Sequence, residues 1–243
     1  MKNVQRIAIN PDQIKDKQIT LTSEQQHYLY RVLRLQEGDK FIAMDGMGKC
    51  WLSQLDNINA LILQQLTVET ELSVDVTLMV ALPKGNGFDD IVRCCTELGV
   101  ACIAPVIGDR TLLKPSSQKL ERWSRIATEA AEQSERAKVP QILAPITFNQ
   151  SVVSFTNFEK YICVARGNSP HLLHCLQHQQ EIIDNSDSTN IVIATGAEGG
   201  WTDKEIQIAL QNGFKQVSLG RRILRAVTAP IFVMSLISGV SEV

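Results

Sequence analysis

Three arginines, Arg221, Arg222 and Arg225, follow a glycine turn in the stretch SLGRRILRAVTAP, residues 218–230, and run straight into an apolar segment. From Ile206 to Ser241 there is no Asp or Glu to pair with them. Cations at the mouth of a buried helix are costly to hold unless an anion or a polar partner meets them. An anionic or polar ligand is therefore expected here. At least one of the three guanidinium groups is expected instead to cap carbonyls or to lie along the surface.

A second stretch with chemical potential is IVIATGAEGGWTDKE, residues 191–205. Its apolar run ends at Thr195. Gly196, Gly199 and Gly200 then surround Glu198, and Thr202 with Glu205 opens the next helix as a capping box. Glycines let a backbone approach a ligand closely and leave amides free at a helix start. The same residues would also serve a plain tight turn needing positive φ. The spacing is neither G-x-G-x-x-G nor G-x-x-x-x-G-K-[ST], so dinucleotide or triphosphate binding loses support. A carboxylate among the glycines suits a cationic or hydroxyl-bearing ligand better than a phosphate.

Other candidate constellations are weaker. His171, His174 and His178 recur at i, i+3 and i+7, but Leu172, Leu173 and Leu176 take the opposite face and no H-E-x-x-H base is present, so a solvated polar face is expected and no metal. The six cysteines contain no C-x-x-C and no zinc-ribbon spacing, which makes them reduced, small core residues.

The elements that must position the two turns follow from periodicity. Ser23 with Gln26 reads as a capping box for a helix through HYLYRVLRL, with Leu29, Val32 and Leu33 on one face. KFIAM, a DGMG hairpin turn, CWLSQL and ALILQQLTVE read as strands, so residues 1–71 are a small, mostly β unit. From Val74 the rhythm becomes strand, helix, strand: VTLMVAL, FDDIVRCCTEL closed by Gly99, VACIAPVI, a long helix through RWSRIATEAAEQSER, YICVA, a short helix at HLLHCLQ, IVIAT, TDKEIQIALQN closed by Gly213, QVSL and a last helix. Alternation of this kind predicts an α/β domain with a parallel sheet over residues 72–243, whose ligands bind beyond the C-terminal strand ends. The last helix is apolar nearly all round, which marks deep core or a subunit interface. Glu132 and Arg136 are spaced for a structural ion pair.

Net charge is −2, which argues against a protein that grips nucleic acid by bulk electrostatics; any polyanion would be met at local basic clusters. The first residues, MKNVQRIAIN, lack a basic start followed by an apolar core, and no apolar run approaches the roughly 18 residues of a membrane span. A cytoplasmic protein without membrane contact is expected.

LPKG (82–85), TELG (96–99), RWSRIATEAAEQSER (122–136), GAEGGWTDKEI (196–206) and SLGRRILR (218–225) occur in this order, and together they resemble the bacterial ribosomal RNA uracil-N3 methyltransferases. HYLYRVLRLQEGD (27–39) is similar to that family's PUA-like domain, so the resemblance covers nearly the whole chain. It implies an α/β-knot (SPOUT) methyltransferase domain with a parallel sheet and a trefoil knot, preceded by a PUA-like barrel, using S-adenosylmethionine as methyl donor. In that picture both turns join a third segment near the end of an earlier strand to enclose the cofactor.

The resemblance implies a role for each candidate residue. Gly196, Gly199, Gly200, Leu219, Gly220 and Leu224 would meet the cofactor, with Glu198 a nearby acceptor. The substrate would be N3 of a uridine in small-subunit (16S) ribosomal RNA, position 1498 in the family, within the assembled 30S particle, and the enzyme would act as a homodimer with its last helix between subunits. N3 carries a proton and is a poor nucleophile, so Arg222 and Arg225 would stabilise the imide anion as an oxyanion hole does. Arg6, His27, Arg31, Arg34, Lys84, Arg110 and Arg221 are the candidates for RNA contacts.

Two positions depart from the family pattern. Ala197 stands where Pro is usual, and Ala226-Val227 replaces Thr-Glu after Arg225, which leaves the general base unassigned. The second departure motivates an alternative, a non-catalytic RNA-binding ribosome-assembly factor that keeps the fold. A small-molecule nucleotide enzyme of ordinary doubly wound type would rest on the glycine turn alone.

Overall fold

The computed structural model describes residues 4–112, 115–183 and 190–242. They fall into two compact units, one of Met1–Glu71 with Ala131–Val139, the other of Leu72–Ala130 with Pro140–Val243.

The first unit holds β1 (Arg6–Ala8), β2 (Ile14–Lys15), β3 (Gln18–Thr20), α1 (Ser23–His27), β4 (Lys40–Met44), β5 (Cys50–Asp56) and β6 (Asn59–Leu66). The sheet order is β1-β4-β5-β6-β3-β2, antiparallel except for β1 beside β4. The β4–β5 hairpin turns at Asp45, whose carboxylate accepts the amides of Met47 (2.8 Å) and Lys49 (2.9 Å), while Gly46 supplies φ 70°. Ile19, Leu29, Phe41, Leu55 and Ala60 bury the sheet's inner face.

The segment 131–139 joins this unit because carboxylates latch it there. Glu71 accepts Arg136 Nη2 (2.6 Å) and the amides of Ala137 and Lys138 (3.1 Å each), and Glu132 accepts the amide of Ala8 (2.6 Å). The Arg136 side chain is 3% exposed, so loss of Glu71 would leave a buried charge without this partner. Glu71 thus reaches Arg136 from 65 residues away in the chain.

Two local expectations about the first helix are corrected. The capping box is Thr22 with Gln25, one residue earlier than Ser23 with Gln26, because both pairs fit the same pattern and the helix starts at Ser23. After His27 the chain widens into a π turn over Tyr28–Val32, closed by Leu33 N–H to Tyr28 O at 2.9 Å. The extra residue rotates Val32 out of the Leu29 face, and it is 57% exposed.

The second unit holds β7 (Asp75–Ala81), α2 (Gly87–Glu97), β8 (Cys102–Ile107), α3 (Ser117–Gln133, its last three residues in the first unit), β9 (Gln141–Ile142), β10 (Ile146–Thr147), α4 (Phe148–Val153), β11 (Glu159–Cys163), α5 (Leu172–Ile183), β12 (Asn190–Thr195), α6 (Asp203–Gln211), β13 (Lys215–Val217) and α7 (Thr228–Ser241). Every strand pair is parallel, in the order β10-β8-β7-β12-β11-β13 with β9 beside β8. The central strands β7 and β12 are buried from Val76 to Ala81 and from Ile191 to Thr195, as expected of a sheet covered on both faces. No helix among the described residues is long and apolar enough to cross a membrane.

Candidate active site

β12, β11 and β13 are neighbours in the sheet, so the bends at their C-terminal ends converge. Together they wall a cavity of about 470 Å³, the size of a small-ligand site. The glycine turn Gly196–Gly200 with Trp201 forms one wall, Leu219–Leu224 without Arg221 a second, and Cys163–Arg166 after β11 a third. Ala226 and Ala229, leading into α7, also face it.

All seven residues proposed for the cofactor on sequence grounds, Gly196, Glu198, Gly199, Gly200, Leu219, Gly220 and Leu224, line this cavity, and so does Arg222. Two glycines leave little room for a side chain. A Cβ on Gly196 would lie 3.0 Å from the Gly200 Cα and 3.3 Å from the Trp201 nitrogen, and one on Gly199 would lie 2.9 Å from Arg110 Cδ. Gly200 has φ 65° and Gly220 φ 109°, a region that disfavours any side chain. The turn leads into α6 through the Thr202–Glu205 capping box, with Glu205 only 2% exposed. Glu198 Oε1 accepts the Lys84 amide at 3.0 Å, tying the turn to the loop after β7.

The remaining candidates divide. Arg225 and Arg221 are exposed and lie outside the lining; the Arg225 carbonyl accepts the Ala229 amide (3.0 Å) in the first turn of α7. Among the described residues none of the three arginines has a carboxylate partner within ion-pair distance, but all three are exposed, so holding them costs little. What singles out Arg222 is its place on the cavity wall, not an unrelieved charge. The strand that precedes these arginines stops at Val217, two residues short of Leu219, and Ser218 bridges to His171.

His27, Arg31, Arg34 and Lys84 are exposed. Arg6, a candidate for RNA contact, has a side chain only 11% exposed; its Nη2 pairs with Glu135 at 2.7 Å, while its buried Nε and Nη1 have no hydrogen-bond partner among the described residues. Arg110 donates through Nη1 to the carbonyls of Gly199 and Trp201 and lines the cavity.

His171 precedes α5 and accepts the Leu173 amide on Nδ1 (3.2 Å), which makes it a helix cap; the His178 side chain lies outside the described residues. Among the described residues no group of three or more His, Cys, Asp or Glu could hold a metal ion.

Residues without a sequence signal complete the site. Arg166 and Cys163 reach the cavity because β11 lies between β12 and β13, and Trp201 reaches it as the residue that closes the glycine turn. The Trp201 indole packs on Phe148 with ring centroids 4.8 Å apart, and its buried Nε1 has no hydrogen-bond partner. Cys163 keeps some surface at the cavity, yet desolvation pushes its thiol up to about 12, so it stays protonated at neutral pH. Where the usual Thr-Glu would stand, Ala226 is 6% exposed on the cavity wall, and a Cβ on Gly87 would come within 2.7 Å of Val227 Cγ2, so this segment brings no carboxylate to the site.

Comparison with known proteins agrees with this geometry. A family profile described as an RNA methyltransferase domain matches residues 70–238, and one described as an RNA methyltransferase PUA domain matches residues 21–63. Ribosomal RNA small subunit methyltransferase E of Synechocystis is 49% identical over 98% of this chain and 78% of its own length; that of Bacillus subtilis is 31% identical over 97% and 96%. The Neisseria gonorrhoeae enzyme of that name, solved bound to S-adenosylmethionine, superposes with TM-score 0.83 at 28% identity over 96% of both chains. A Legionella pneumophila methyltransferase solved with the same cofactor gives 0.83 at 26% identity over 98% of both. The parallel-sheet unit therefore has the α/β-knot (SPOUT) fold and the first unit is PUA-like. With its three-walled cavity and these likenesses along nearly its whole length, the chain belongs to the family of small-subunit ribosomal RNA methyltransferases E.

Proposed function

We propose that the protein transfers a methyl group from S-adenosylmethionine to N3 of a uridine in 16S ribosomal RNA, uridine 1498 by family position. The observation that carries this reading is the single cavity made by the ends of β12, β11 and β13. The residues present fit the cofactor. The cavity has the size of a small-ligand site, and glycines admit close backbone approach where a Cβ would crowd its neighbours. When bound, the cofactor supplies an electrophilic methyl on a sulfonium.

The residues of this chain then have three tasks. Gly196, Glu198, Gly199 and Gly200, with Leu219, Gly220 and Leu224, hold the cofactor between two walls. Arg222, on the cavity wall, stabilises the negative charge on the uracil oxygens as N3 loses its proton. Arg225, exposed outside the lining, and Arg221 act on the RNA side. Ala226-Val227 provides no carboxylate, so the N3 proton passes to water and the resulting anion is held by Arg222.

RNA recognition is assigned to the PUA-like residues 1–71, with His27, Arg31 and Arg34 exposed on α1 and the turn that follows, while Lys84 adds a cation in the methyltransferase domain, 72–243. The assembled 30S particle is the substrate form, the chain acts in the cytoplasm, and two copies pair through the outer face of α7.

The test is a methylation assay with labelled cofactor on small subunits lacking the modification, followed by reverse transcription. The wild-type protein is expected to incorporate one methyl per subunit and to create a stop at the target uridine. Cofactor binding by calorimetry without any incorporation would favour the non-catalytic assembly factor instead.

A further inference from the structure

The geometry points to Arg110 as a positioning residue for the glycine turn, a role that we propose in place of RNA contact; it rests on the reading of the cavity as the cofactor site. Arg110 lies in the loop after β8, two strands away from β12 in the sheet. Its Nη1 donates to the carbonyl of Gly199 and, at 3.3 Å, to that of Trp201. Its aliphatic stem lies where a Gly199 side chain would be, with Cδ 2.9 Å and Cβ 3.3 Å from an ideal Cβ. The neighbouring residue repeats the link, since the Asp109 amide donates to the buried Glu205 (2.9 Å) and the Asp109 carboxylate accepts the Thr202 hydroxyl (3.3 Å).

Within the turn the Gly200 N–H donates to the Ala197 carbonyl (2.8 Å), and Ala197 and Trp201 are buried, which leaves the glycines themselves without side-chain packing. Gly200 sits at φ 65° with nothing within 4 Å of an ideal Cβ, and three glycines in five residues have wide conformational freedom. On its other flank the turn is tied by Glu198 to the Lys84 amide. Charge-assisted hydrogen bonds to two carbonyls hold the turn ready before a ligand arrives, so binding does not have to order it. Among the described residues Arg110 has no carboxylate within ion-pair distance, and Nη1, the nitrogen aimed at the turn, is committed to backbone oxygens.

The experiment measures S-adenosylmethionine affinity by calorimetry and affinity for unmodified small subunits by filter binding, for wild type, Arg110→Ala and Arg110→Lys. Arg110→Ala is expected to weaken cofactor binding about tenfold, with KM for the cofactor rising and kcat at saturation nearly unchanged, while affinity for the subunits stays within about twofold. Arg110→Lys should fall between, because it keeps a cationic donor but its shorter, non-planar head does not hold one nitrogen at both carbonyls.

Thermal melts without cofactor check that the variants fold, and a double-mutant cycle with Gly199→Ala gives a second route. The added methyl should weaken cofactor binding strongly beside Arg110 and much less in the Arg110→Ala background, where most of the obstructing stem is gone. Unchanged cofactor affinity, or weaker subunit binding with a shallower salt dependence, would overturn the assignment and return Arg110 to phosphate contact. Absence of cofactor binding by the wild type would overturn the proposed function as well.

Discussion

Arg222 and Arg225 differ in what they can reach, since only Arg222 lines the cavity. If Arg222 stabilises the developing imide, its loss should act on the chemical step. Arg222→Ala is expected to lower kcat about 100-fold while the S-adenosylmethionine Kd, read by calorimetry, stays within a few-fold; a matching loss of cofactor affinity would make it a binding residue. Buried thiols set a different limit, on pH. Desolvation raises Cys102 to about 11, against a smaller lowering by the Thr77 hydrogen bond, and raises Cys163 to about 12, both from 9.0. Burial, then Glu159, also moves Tyr161 upward from 10.0. Above pH 9 the unfolded chain gives up thiol protons that the folded chain keeps, so this stability is complete below 9 and is lost as pH rises through the folded values. Urea midpoints should hold to about pH 8.5 and then fall, with Cys163→Ala flattening the decline; a midpoint level to about pH 11 would contradict it. The glycines and Arg222 were legible in the sequence because each adjoins a strand end. Arg110 and Arg166 were not legible as parts of the cavity wall, since their roles come from neighbours distant in the chain.

An element is legible when it is long enough to show a period. The parallel strands β7, β8, β11 and β12 and the helices α2, α3 and α6 are of that kind. β1, β2, β3, β9 and β10 have two or three residues each, too few to display alternation, and they form because a neighbouring edge offers hydrogen bonds. The slipped capping box has a related cause: in Thr22-Ser23-Glu24-Gln25-Gln26 two overlapping pairs satisfy one pattern, and tertiary packing selects between them. The turn between β12 and α6 supplies a prediction at this scale. Gly196→Ala would set a methyl 3.0 Å from the Gly200 Cα and 3.1 Å from its carbonyl carbon, and backbone cannot swing aside as a side chain can. The turn must shift, with a stability loss of about 1–3 kcal/mol and cofactor binding lost beyond detection. Denaturant titration and calorimetry check the two parts, and retained binding would show that the turn tolerates displacement.

At the scale of the whole molecule, strand order is the property that periodicity cannot give: alternation announces a parallel sheet, but not that β11 lies between β12 and β13 or that Ala131–Val139 returns to the first unit. Quaternary structure is equally a matter of surfaces. α7 buries Pro230, Val233, Met234 and Ile237 within its own unit, yet Ile231, Phe232, Leu236 and Val240 keep part of their surface open. Ser235 turns its hydroxyl back to the Ile231 carbonyl at 2.9 Å, and no charged side chain interrupts the helix. A face without charge, flanked by Gly239, suits close approach of a second copy, as the proposed dimer requires. Leu236→Glu separates the possibilities. On a solvated face a carboxylate is tolerated with little change in stability, but between two copies each chain would bury an unpaired charge at a cost of several kcal/mol. The wild type should sediment at twice the chain mass of 27.0 kDa, and Leu236→Glu at 27.0 kDa with its fold intact. A wild-type protein that sediments as a single chain at micromolar concentration would remove the partner from the proposed function and leave the outer face of α7 to another role.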